Sequence, residues 1–411
     1  MIETKLILID GIPGAGKSIT AQFIARQLEK NGIKTRIYNE TDNNHPLDHN
    51  YDITDETEYL NEYLKRYHEI WHSFSKMIEN DNCVYIIESF LYQKVLYSVF
   101  DHNFDRQILK EFSHMLLSTV RMHNPVIIYF YQANVASMMK LNYQRRGTAW
   151  KQWFTSLPIN SLYCMKHDLS GEAGAIKFMD DFQNFEMELF NESTFRKIKI
   201  ETSAQDWSNY QQNIANLLEI SLVEENLFDE SFIRYCGNFN GIIIHINNNR
   251  LCMDGFWTNL TLVPLKDNEF QIEGFPIVLK FITDENDEIN SFKIIKSLTI
   301  YREGGVYFKI LPIELNISEL EKFCGEYLCK ENGYLRKIYI KDSNKLFYRH
   351  DENSESQLIP VSESRLVMKV DIENKLDFEF INNDHQFKFQ ILGDNPKVSL
   401  FKKVQVKELK P

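Results

Sequence analysis

Eight residues near the N-terminus, Gly11-Ile12-Pro13-Gly14-Ala15-Gly16-Lys17-Ser18, restrict what this chain can fold into more than any other feature. They satisfy the spacing G-x-x-x-x-G-K-[ST] at every fixed position. An apolar run, KLILID (5–10), precedes them, and a helix-patterned stretch, SITAQFIARQLEKNG (18–32), follows. A strand that passes through such a loop into a helix gathers backbone N–H groups and the positive end of a helix around one small volume. Gly11, Gly14 and Gly16 permit the turn, and Ile12, Pro13 and Ala15 fill the positions between them. Lys17 supplies a point charge for the β- and γ-phosphates, and the Ser18 hydroxyl suits Mg²⁺. The expectation is a site for ATP or another nucleoside triphosphate with Mg²⁺, set on an α/β sheet.

The stretches around the motif agree. KTRIY (34–38), CVYIIE (83–88), PVIIYFY (125–131) and RKIKIET (196–202) read as further strands. Helix-patterned segments fill 55–80, 133–147 and 207–220. Apolar strands separated by helices predict a parallel sheet covered on both faces. After Glu225 the texture changes to short alternating strands between polar turns such as INNNR, KDSN and ENK, the pattern of an all-β region. Within it FIRYCGNF (232–239) parallels LEKFCGEY (320–327), NLTLVPL (259–265) parallels SQLIPVS (356–362), and VYFKI (306–310) parallels VSLFKKV (398–404). The order is kept, and the second copy has one longer hairpin, which reads as a duplicated module. The expected organisation is an α/β domain over 1–224 and two barrel-like β modules over 225–312 and 313–411. Their aromatic cores are expected around Tyr235 and Phe308, and around Phe323 and Phe401.

Residues 1–222 resemble the nucleoside, nucleotide and related small-molecule P-loop kinases in the order of their parts. That resemblance implies roles for four residues. Glu88, closing the third strand, would hold Mg²⁺ through water or take the acceptor's proton. Glu40, closing the second strand in RIYNETD, would be the general base, as in deoxynucleoside kinases. Arg145 and Arg146, in NYQRRG, would close a lid over the triphosphate, because a guanidinium fork binds phosphate oxygens bidentately. Nucleoside kinases carry Glu-Arg-Ser where this chain has Glu88-Ser89-Phe90, so their arginine is missing here. Read from the residues alone, Glu40 also fits a solvated turn, and the two arginines fit a helix C-terminus before Gly147. Asp10 fits either a turn cap or an approach to Mg²⁺-bound water. The last 90 or so residues, with F-C-G-E-Y, L-I-P-V-S and L-F-K-K, resemble the lipocalin-like β-barrel appended to serine β-lactamase-like proteins.

Composition removes other classes. The net charge is −12, so the broad basic footprint that a nucleic-acid backbone needs is missing. An anionic membrane surface is disfavoured for the same reason. No apolar run approaches the length of a membrane span, and Met1 leads straight into a strand pattern without a signal-peptide core. None of the six cysteines forms a CxxC pair, as expected of reduced thiols in a cytoplasmic protein. His45, His49, His68 and His72 fall around the expected acceptor side, and Trp71, Trp150 and Trp153 fit either stacking on an acceptor ring or core packing. His68 and His72 are four apart, but without an HExxH pattern they predict no zinc site. The favoured expectation is ATP-dependent phosphorylation of a small-molecule acceptor, with the β modules serving binding or assembly into a homo-oligomer. The rivals are a nucleotide-dependent ATPase or sensor whose β modules hold a partner, and a polynucleotide end kinase, which the acidity opposes.

Overall fold

The computed structural model describes residues 2–42, 44–48, 56–225, 227–239, 242–255, 258–266, 268–297, 306–342, 344–351, 354–368, 375–381, 386–392 and 397–404. The chain divides into two units, 1–225 with 273–276, and 226–272 with 277–411.

The first unit is built on five strands, β1 (Leu6–Gly11), β2 (Thr35–Tyr38), β3 (Val84–Glu88), β4 (Val126–Tyr131) and β5 (Arg196–Glu201). They form one parallel sheet in the order β2-β3-β1-β4-β5. Every residue of β1 and β3 is buried, which is why these strands read as unbroken apolar runs. The connecting helices are α1 (Lys17–Lys30), α2 (Glu56–Glu79), α3 (Gln93–Asp101), α4 (Arg106–Thr119), α5 (Val135–Ile159), α6 (Leu162–Lys166), α7 (Gly171–Glu192) and α8 (Trp207–Leu218). Helix α2 buries Tyr63, Tyr67, Trp71, Phe74 and Ile78, one face at helical spacing. Helix α7 does the same with Phe178, Phe182, Phe185 and Leu189, and Phe100 of α3 packs into that row. No helix among the described residues is long and apolar enough to cross a membrane.

Helix α5 runs on past Gly147 to Ile159, so that glycine does not end the helix as its sequence context suggests. The reason is packing further along: Trp150 stacks on Phe154 at 4.7 Å, and the buried Phe154 anchors the added turns.

The second unit holds two closed barrels of eight strands each. One runs from β6 (Gly237–Phe239) to β13 (Val306–Ile310), and the other from β14 (Gly325–Cys329) to β21 (Lys397–Val404). Both are antiparallel, up-and-down arrangements in which the last strand pairs with the first, so neither leaves an open edge. Their registers correspond. Gly237 faces Ile244 as Gly325 faces Ile338; Pro264 faces Phe270 as Pro360 faces Leu366; Phe239 faces Lys309 as Tyr327 faces Lys403. The side chains agree as well: Lys309 and Lys403 lie over the rings of Phe239 and Tyr327, each across a glycine whose added Cβ would come within 2.6 Å of the lysine Cε. Phe239, Phe270, Phe281 and Phe292 fill the first barrel together with Tyr235, and Phe323, Tyr327 and Phe401 lie in the core of the second. Phe308 departs from expectation. It is half exposed, and Tyr307 takes the inward position, because alternation along a strand sends neighbours to opposite faces.

Candidate functional site

Strand β1 delivers the chain to Gly11, whose φ of +130° places it against β4: an added Cβ would lie 2.0 Å from the Phe130 carbonyl oxygen. Only glycine fits that approach. The loop then turns through Gly14 and reaches Gly16, which caps α1 at φ +99° without any side-chain cap. The first N–H groups of a helix have no intrahelical partner, so this terminus faces the loop with donors to spare. Two residues from elsewhere wall the loop. The Asn142 amide, on α5, donates to the Pro13 carbonyl at 3.3 Å and lies where a Cβ on Gly14 would go. The Trp207 ring, at the start of α8, lies against Gly16. Ile12 and Ala15 are buried and fix the loop from beneath.

Lys17 is buried and folds back over the loop, its Nζ 3.2 Å from the Ile12 carbonyl. The Ser18 hydroxyl donates to Glu88 Oε1 at 2.9 Å. Glu88 ends β3 beside Ile9, one residue before Asp10 on the neighbouring strand, which is how the sheet brings it to the loop. Its other oxygen, Oε2, accepts from the Glu40 backbone N–H at 3.0 Å. Burial pushes the Glu88 carboxyl up, the Lys17 charge opposes this, and the Glu40 charge adds to it. Ser89 then turns the chain at φ +68°, a conformation few non-glycine residues adopt.

Two further groups complete the arrangement. The fully buried Asp10 accepts four backbone N–H bonds, from Gly11 (2.9 Å) and Gln93 (3.0 Å) at Oδ1 and from Leu91 (2.9 Å) and Tyr92 (2.7 Å) at Oδ2. With its lone pairs taken, Asp10 ties the phosphate loop to the start of α3 and is the turn cap of the two roles open to it. Gln93 then donates its side-chain amide to both Glu40 oxygens, at 3.3 and 3.2 Å. The result is one closed chain of contacts: loop, Asp10, Gln93, Glu40, Glu88, Ser18 and back to the loop.

The remaining sequence candidates lie elsewhere or outside this ring. The Arg146 guanidinium lies over the Trp150 ring, 4.5 Å from its centroid, on the continuous α5 helix. The Arg145 side chain and His49 lie outside the described residues. His68 and His72 are exposed on α2, and Trp71 belongs to the core. His45 is buried, stacked on Phe90 at 3.7 Å and edge-on to Tyr38. Its Nδ1 accepts from the Leu47 N–H at 3.1 Å, and its Nε2 has no partner. Sequence reasoning missed Gln93, Asn142 and Trp207, which carry no local signature and join the site only through tertiary contacts.

No family model matches this chain, and no curated protein matches it. Many solved structures are similar to part of it, two of them as follows. One is the YorR protein of Bacillus subtilis in complex with phosphorylated GDP, at 14% identity over 52% of this chain and 95% of that one, with a TM-score of 0.32. The other is a thymidylate kinase from Candida albicans, at 14% identity over 55% of this chain and 97% of that one, with a TM-score of 0.28. At these scores neither likeness carries an argument about this chain, so function rests on the geometry.

Proposed function

We propose that the first unit is a phosphotransferase that moves a phosphoryl group from ATP, or another nucleoside triphosphate, to a small-molecule acceptor. The observation that carries this reading is the bridge Ser18–Glu88–Glu40 at the mouth of the glycine loop. It sets a hydroxyl and a carboxylate suited to a divalent cation against the backbone of Glu40, whose own carboxylate, suited to a proton, is near enough for its charge to act on Glu88. The residues fit a nucleotide with Mg²⁺: Gly11, Gly14 and Gly16 take positive φ and pack so closely on Phe130, Asn142 and Trp207 that any Cβ would clash, and Lys17 lies buried with its Nζ against the Ile12 carbonyl. Ser18 and Glu88 would hold the metal, which supplies charge neutralisation at the phosphates. The loop N–H groups and Lys17 bind and orient the triphosphate. Glu40 takes the proton of the acceptor hydroxyl, and Arg146, with Arg145, adds positive charge over the phosphates. Phosphoryl transfer asks little more of a protein than positioning, charge and a base.

We also read the two barrels as copies of one module, related to the lipocalin-like accessory barrel and used for binding or assembly. The corresponding registers and the repeated lysine–glycine contact support that reading.

Titration with MgATPγS tests the site. Wild type should bind only with Mg²⁺, and Lys17→Ala should lose at least about tenfold in affinity, the loss of one charge-assisted contact. Equal binding by the two proteins would end the reading. Turnover that no acceptor stimulates would favour the ATPase or sensor instead.

A further inference from the structure

We propose that Gln93 reads the acceptor, and that the acceptor class is a molecule with a second N–H or O–H donor beside its reacting hydroxyl, such as a vicinal diol or a 2-amino alcohol. This rests on the phosphotransferase reading and deepens it. Gln93 is 8% exposed, and its amide is used on one side only. The nitrogen donates to both oxygens of Glu40, while Oε1 is buried with no hydrogen-bond partner among the described residues. The amide orientation follows from chemistry: carboxylate oxygens only accept, so the nitrogen must face Glu40 and the carbonyl must face away. An amide's nitrogen and oxygen lie about 2.2 Å apart. Oε1 is therefore within about 5.5 Å of the group assigned to take the proton.

A second orphan repeats the pattern. Asn39, the neighbour of Glu40 in the chain, is 4% exposed and gives its amide nitrogen to Asp42, which leaves Oδ1 buried and without a partner. Two buried carbonyl oxygens, one on the residue whose amide holds the Glu40 carboxylate and one on Glu40's neighbour in sequence, are both acceptors lacking a donor among the described residues. Buried polar groups are almost always paired, so this arrangement asks for a ligand rich in donors. A lone alcohol has one hydrogen to give, and Glu40 takes it. A vicinal diol or amino alcohol brings the second hydrogen to Gln93 Oε1. Gln93 thus has two duties that its two amide atoms divide: Nε2 holds the base in place, and Oε1 selects the acceptor.

The test uses the full chain, MgATP and acceptors in matched pairs: 1,2-propanediol with 1-propanol, glycerol with 1,3-propanediol, ethanolamine with ethanol, and adenosine with 2′-deoxyadenosine. ADP release above the basal rate is the readout. The members with adjacent donors should stimulate release, and their twins should not. Gln93→Met should lower kcat/KM for the stimulating acceptors by about 10- to 100-fold, through both a higher KM and a lower kcat. Its affinity for MgATPγS should stay at the wild-type value, which a general folding defect would not allow. Gln93→Glu keeps the accepting oxygen but sets a second carboxylate against Glu40, so it should lower kcat and leave KM for the diol nearly unchanged. The proposal is overturned if a twin stimulates as well as its partner, or if Gln93→Met keeps wild-type kcat/KM. It is also overturned if no pair stimulates a protein that binds MgATPγS. Failure of the wild type to bind MgATPγS would remove the phosphotransferase reading itself.

Discussion

Acidification should weaken the first unit, in good part through His45. Burial, with a smaller contribution from the Lys94 charge, lowers its pKa to about 3, against 6.5 for a free histidine. In the folded chain it stays neutral until strongly acid pH, whereas in the unfolded chain it takes up a proton near pH 6.5. A group depressed in this way contributes its full stability above pH 6.5 and loses it as pH falls toward 3. Between pH 7 and pH 5, protonation of the unfolded chain alone is worth about 2 kcal/mol. The side chain is only 4% exposed, so solvent screening removes little of that. His45→Asn is the informative perturbation, because Asn can still accept from the Leu47 N–H but cannot titrate. It should be the less stable protein at pH 7, having lost the stack on Phe90. Urea unfolding followed by tryptophan fluorescence reports on this unit, where Trp71 is fully buried. The stability gap between wild type and variant should narrow by about 2 kcal/mol from pH 7 to pH 5. A gap that stays constant within about 0.5 kcal/mol would refute the neutral, buried histidine.

Glu186→Gln should act with the opposite sign. Burial and the nearby Asp10 charge push the Glu186 carboxyl well above its usual range, so wild type loses stability as pH rises beyond about 4.5, and the variant should gain on wild type between pH 5 and pH 8 in urea midpoints. Gly16→Ala should cost about 1–3 kcal/mol, read as a lowered Tm, since the new Cβ would lie 2.2 Å from the Trp207 ring; an unchanged Tm would show that the ring moves freely. Glu88→Gln and Glu40→Gln should fail differently: the first should slow basal MgATP hydrolysis as well as transfer, and the second only transfer, by at least about 100-fold, which paired rate measurements would separate.

Strands β1, β3 and β4 were legible as short apolar runs, which burial on both faces of a parallel sheet produces; the edge strands β2 and β5 are mixed and only partly buried, and were read from their β-branched residues and the helices between them. The phosphate loop was legible for a related reason: its geometry depends on residues within eight positions of one another. The end of α5 was not, since Gly147 reads as a stop, and what carries the helix onward is contact among Trp150, Phe154 and neighbouring elements. Phe308 illustrates a finer failure. The strand was evident, but with aromatic residues at both 307 and 308 its alternation could be set in either phase. Gln93, Asn142 and Trp207 were invisible for a deeper reason. Each meets the loop from a different crossover, and no local pattern marks which residue of a helix terminus will face a loop far away in the chain.

The buried acids behind the loop show how the proposed phosphate site would tolerate negative charge in its own floor. Asp10 and Glu186 are both fully buried and close enough for each to feel the other's charge. Were both ionised, two negative charges would lie beneath a cradle meant for a polyanion. The surroundings separate them. Burial pushes the Asp10 carboxyl up, and its backbone N–H bonds and the field of Lys17 oppose that rise. Glu186 receives one hydroxyl, from Tyr129 at 2.9 Å, and leaves Oε1 without a partner. Of the two, Glu186 is pushed further up and holds a proton more readily, so the charge falls to Asp10, which organises the loop and α3. Lys17 acts on both acids and favours their charged forms, and the helix terminus faces the glycine loop with no side-chain cap.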